Sequence, residues 1–203
     1  MGRTGPITKD TTTVALGLAQ IRVGKSAPNI ATTHPALDSD NSIGALAMTK
    51  FSGVIESWKL ESGFPLTEDT SIPLREKAQL ECQFKEITPF NVALAYGIDT
   101  MDADSSASSD YDDAHSGEIA LGNVSTPAFI RVEAEYTYPD ATNKMHVILP
   151  RAQAAPTLDI ELQAEDAAAV PVIFESKSAD SGVSGGHANW DDAPLGKILW
   201  RDS

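Results

Sequence analysis

A single cysteine, Cys82, in 203 residues rules out an internal disulfide. That scarcity fits an intracellular folding site, where disulfides are rare. Basic residues are also short: 15 against 29 acidic ones, a formal charge of −14. Phosphate affinity comes from Lys and Arg, so the chain is expected to be a poor nucleic-acid binder. Its charge serves solubility, and would let it work beside DNA by repulsion. No apolar run approaches the ~20 residues of a membrane-spanning helix. The first residues, MGRTGPITKDTTT, are polar and lack the apolar stretch of a secretion signal. At this length one domain, 1–203, is the prior, and it can bury about 70% of its unfolded surface without staples.

What the chain does have is alternation. Ala78, Leu80, Cys82 and Phe84 point one way, while Lys77, Gln79, Glu81, Gln83 and Lys85 point the other. That predicts a half-buried strand with a wet face of mixed charge. Strands are also predicted over 14–24, 49–61, 129–138, 144–149, 157–164, 169–178 and 195–200, divided by turn signals such as Pro139–Asp140, Pro150, Pro156 and Gly182–Gly186. The faces of 49–61 do not split cleanly, and Gly53 marks an expected bulge. One helix interrupts the strands. Thr88 suits its N-cap, Pro89 its first position and Gly97 a left-handed C-terminal cap. Phe90, Val92, Leu94 and Tyr96 would pack it over a sheet face or an open end.

Three polar stretches remain. Residues 1–13 read as a flexible N-terminal segment. Residues 25–44 read as a long loop or arm, and 62–73 as a turn or extended hairpin loop. Residues 99–118 hold seven carboxylates and no Lys or Arg, and read as a solvated, mobile loop. About eight strands and one short helix predict a mainly β fold, a β-sandwich or barrel with the helix at one side or end.

Motifs for chemistry fall short. VGKS at 23–26 ends like a phosphate-binding loop, but residue 19 is Ala and no helix is predicted after it. DADSSASSDYDD at 102–113 is spaced like a calcium loop, yet lacks Gly at its sixth and Glu at its twelfth position. His34, His115, His146 and His187 lack zinc-ligand spacing, and His146 falls on the wet face of its strand. Cys82 reads as an inert, buried thiol. No Ser sits in a Gly-x-Ser-x-Gly elbow. No catalytic, metal or cofactor residue is assigned. Among the tryptophans, Trp58 is expected in the core or as a cross-strand partner, Trp190 lies in a glycine-rich loop, and Trp200 is a candidate interface anchor.

Taken in order, TKFSGVIESWKLESGFPLTEDTSIPLREKAQLECQFKEITPFNVALAYG (49–97), HVILPRAQAAPTLDIELQAEDAAAVPVIFESKSADSG (146–182) and WDDAPLGKILW (190–200) resemble the tail tube (major tail) proteins of long-tailed bacteriophages. The resemblance implies a β-barrel-like sandwich with a flanking helix and no active site. It implies hexameric rings that stack into a virion tail tube, assembled in the host bacterial cytoplasm. The implied partners are further copies of the chain, a tape measure protein, a tail terminator and baseplate or tip proteins. DNA would pass through the lumen without specific binding, and no membrane is involved. On that reading Glu81, Glu133, Glu135, Asp159 and Glu161 are candidate lumen acids, set on wet strand faces. Trp200, Pro28, Pro35, Phe64 and Pro65 are candidate interface residues, with loops 25–44 and 62–73 reaching the next ring.

Other readings stay open. One is the inner tube of a contractile tail or a tail-like secretion device. Another is a β-sandwich binding module or adhesin using Trp190 and Tyr111. A glycan-cleaving enzyme would need two carboxylates ~5–9 Å apart across a groove.

Overall fold

The computed structural model describes residues 17–62, 67–102, 106–113, 115–122, 126–155, 158–160 and 168–202. The N-terminal segment 1–13 lies outside them, as do Phe64, Pro65 and Glu161. The fold is mainly β. Seven strands pair antiparallel: β1 (Gln20–Lys25), β2 (Leu46–Ser62), β3 (Thr67–Phe84), β4 (Ile130–Thr137), β5 (Asn143–Ala154), β6 (Val170–Ser176) and β7 (Lys197–Asp202). The order is β1-β4-β5-β6-β3-β2, with β7 also on β5.

Strand β5 joins two layers. Its first half pairs with β7, from Asn143↔Asp202 to Ile148↔Lys197, and only its last three residues pair with β6. Pro150 lies between the two stretches. One layer is therefore β1-β4-β5-β7 and the other β6-β3-β2. Ile21, Val23, Val132, Ala134, Val147 and Leu149 of the first meet Leu80, Cys82, Phe84, Val172 and Phe174 of the second in one buried cluster. This sandwich-like arrangement follows from the alternation seen in the sequence. Burial pushes the Cys82 thiol up to about 12, so it carries no nucleophilic thiolate at neutral pH.

The helix α2 (Pro89–Ala95) has the anticipated caps. The Thr88 side chain accepts from Asn91 N–H. At the other end Gly97 takes φ +80°, while Gly97 N–H and Ile98 N–H donate to Leu94 and Ala93. That is a Schellman closure, which glycine makes without strain. Leu94 and Ala95 enter the core, Phe90 packs against it, and Val92 and Tyr96 are half-buried. Asn91, also buried, ties the helix down by donating to the carbonyls of Ile43 and Glu86.

Several expectations need correction. Residues 67–73 are strand, not loop, because the β2–β3 ladder runs on to Ser62↔Thr67. Leu74 is passed over in the register between Glu56↔Arg75 and Ser57↔Pro73, and that bulge accommodates a proline on a strand with an open edge. Residues 158–160 form no strand, so Asp159 is exposed but belongs to no wet strand face. A one-turn helix, α1 (Ser26–Asn29), does follow VGKS. The start of the acidic loop is tied to the core: Thr100 and Met101 are buried, and Met101 bridges to Ala107. Among the described residues no helix is long and apolar enough to cross a membrane.

Candidate assembly surfaces

Strand β3 pairs with β6 only over residues 79–84. Among the described residues the rest of the β2–β3 pair has no further strand neighbour and runs on as a two-stranded ribbon, with register shifts at Glu56/Ser57 and Leu60/Glu61. Its apolar side chains stay open: Val54, Ile55, Trp58, Leu60, Ile72 and Leu74 are 40–70% exposed. Trp58 stands opposite Ile72, the cross-strand placement that was one of its two expected alternatives, and not in the core. A two-stranded ribbon has no interior to bury these groups, so they remain available to another surface. At its base Glu56 binds both Arg75 (2.8 Å) and Lys77 (2.7 Å).

Below the ribbon the sandwich is incompletely closed. Two hollows of about 170 and 210 Å³ share Phe51 and Val147 as walls. Ile198 and Trp200 of β7 stand beside them, 40% and 65% exposed. Trp200 donates to the Tyr138 hydroxyl, which fixes the indole at the sheet edge. Among the described residues, the outer edges of β2 and β7 have no strand neighbour. Open edges of this kind can accept a strand from another chain.

The two outward faces differ sharply. Among the described residues nothing covers the outer face of β6-β3-β2, which bears mainly ionic and polar side chains beside the exposed Ile173 and, at the ribbon base, Val54. The outer face of β4 is shut. Arg131 and Glu133 are 0% and 1% exposed and meet at 2.7 Å. Arg131 donates to the carbonyls of Asn29, Thr32 and His34. Glu133 accepts from the amides of Ala36 and Leu37. Burial pulls the Arg131 guanidinium below its ordinary value, with Glu133 opposing. Trp190, fully buried, donates to Ile30 from the other side.

Residues 25–44 are thus a strap over their own sheet, not a free arm. Glu133 is not a wet-face acid, because the strap's own amides require it. Pro28 lies in α1, and Pro35 is half-buried in the strap. Trp190 cannot serve an exposed aromatic site; Tyr111 lines a separate hollow of about 200 Å³ with Phe90, Asp40 and Asp112.

The remaining acids divide. Glu81 stays on the open face, paired with Lys50 and Gln79. Glu135 is nearly buried among Arg22 (3.0 Å), Lys144 (3.0 Å) and His146 (3.8 Å). His146 is therefore buried, not on a wet face. Burial alone would raise the Glu135 carboxyl; the Lys144 hydrogen bond and the Arg22, Lys144 and His146 charges outweigh it and hold the group low. A carboxyl held low adds stability above its unfolded value and loses it as pH falls through its folded value. Glu135→Gln is thus expected to destabilise the protein at pH 7 and to approach the parent progressively as pH falls below the ordinary Glu value and through the lowered folded one. Equal destabilisation at pH 7 and pH 3 in thermal melts would contradict this role.

Among the described residues no three His, Cys, Asp or Glu side chains gather as a metal site. The chain matches no protein-family model, and no curated protein sequence is significantly similar to it.

Proposed function

We propose that this chain is a structural subunit of a bacteriophage tail tube, assembling into stacked, hexameric rings through which DNA is delivered. The observation that carries the reading is the β2–β3 ribbon: a long two-stranded projection with six exposed apolar side chains. A projection of that kind fits a second, axial contact between rings. The open edges of β2 and β7 fit a head-to-tail contact around a ring, which closes when the rotation per subunit allows. The sequence resemblance to tail tube proteins supports the same reading, and a mainly β fold with a short flanking helix is compatible with it. On this reading the protein acts in the virion tail, through surfaces and without catalysis. Its partners are copies of itself, a tape measure protein, a terminator and tip proteins.

Sedimentation velocity over a concentration series tests the reading. The expected result is growth from small species into large, defined assemblies. A monomer at every concentration and salt would overturn self-assembly as the function. A monomer that also binds glycans would favour the adhesin instead. The inner tube of a contractile tail shares the same surfaces and is distinguished by a sheath protein that coats the tube.

A further inference from the structure

The outer face of β6-β3-β2 departs from the charge of the whole chain. Lys50 on the sheet, Arg75 and Lys77 at the base of the ribbon that continues this face, and Lys177 one residue beyond β6 stand among three carboxylates, Glu56, Glu81 and Glu175, in a protein of charge −14. Every one of these cations is held by a carboxylate on the same face. Lys50 meets Glu81 at 3.1 Å. Arg75 and Lys77 both meet Glu56. Lys177 meets Glu175 at 2.7 Å. Exposed pairs of this kind add little to stability, so stability does not account for the matching. Four unmatched cations on one side of the sheet and ribbon base would instead present a phosphate-binding surface.

We propose that Glu56, Glu81 and Glu175 act as masks, keeping this face inert towards duplex DNA. The inference rests on the reading that DNA travels past these subunits, and it replaces an acid wall with a face of cancelled charge. Glu56 masks two cations and is the principal member. The Gln79 amide, 2.9 Å from Glu81, helps to hold that carboxylate over the face.

The test uses the full chain and a fluorescent DNA duplex, read by anisotropy at 50 mM salt. Three proteins are compared: the parent, the triple variant Glu56→Gln, Glu81→Gln, Glu175→Gln, and a control, Asp110→Asn, Asp112→Asn, Asp113→Asn. The control removes the same charge from an exposed loop. The triple variant is expected to bind, and its affinity to fall about a hundredfold between 50 and 200 mM salt, as roughly four phosphate contacts require. Parent and control are expected not to bind. Glu56→Gln alone is expected to give the largest effect among the single substitutions. A folded triple variant that ignores DNA, or a control that binds equally, would overturn the proposal. Binding is read on the protein irrespective of assembly, so failure here leaves the sedimentation test of tube formation independent.

Discussion

Replacing Trp58 by Ala is expected to raise the concentration needed for assembly by about thirtyfold while leaving the protomer folded. The magnitude is that of a central aromatic anchor, about 2 kcal/mol per contact, converted to a ratio. Trp58 is half exposed in the free subunit and lies among Leu60, Ile72 and Leu74 on the ribbon. Removing it therefore leaves no cavity in the core, and the thermal midpoint should move by only a few degrees. Sedimentation and thermal melts separate the two effects. Leu121→Ala makes the control, because Leu121 is 71% exposed but lies off the ribbon. If Trp58→Ala and Leu121→Ala assemble alike, the ribbon is not an assembly contact.

The second large effect is expected inside the protomer. Breaking the Arg131–Glu133 pair by Arg131→Met should cost about 3–5 kcal/mol, the range for leaving one buried charge without its partner. The consequence should be concentrated in the strap. Asn29, Thr32 and His34 lose a shared donor, and the amides of Ala36 and Leu37 are left on an uncompensated carboxylate. Chemical denaturation should report the loss, and limited proteolysis should cut between 26 and 44 far sooner than in the parent. The double change Arg131→Met, Glu133→Leu removes the stranded charge and should recover part of the loss. It should stay below the parent, because five backbone groups of the strap still lack their partners. A loss under about 1 kcal/mol for Arg131→Met would show that the pair does not hold the strap.

The helix was legible in the sequence almost to its ends, because its signals are local. Thr88, Pro89 and Gly97 each act within one turn. Strands β4 and β6 were legible through alternation to within one or two residues, whereas β3 was legible only in its second half and β5 runs on past its expected end at 149. The strap was not. A strand with polar residues at alternate positions normally keeps them in water, and nothing local to Arg131 or Glu133 announces cover from residues 29–37. The one available signal was the length of 25–44, too long to be an idle connection in a compact fold. The ribbon was half legible. Proline and glycine near 62–73 spoke for a loop, whereas the continuing ladder and the Leu74 bulge made strand of much of it. Trp58 took the cross-strand place that was one of its two expected alternatives, whereas the full burial of Trp190 had no local signal. Burial depends on which segment covers which face, and that is long-range information.

Negative-stain electron microscopy of the purified protein at rising concentration tests the central claim most directly. Rings and hollow tubes are expected, with a lumen wide enough for a DNA duplex. Particles that stay monomeric at every concentration, or that assemble only into solid fibres without a lumen, would contradict it.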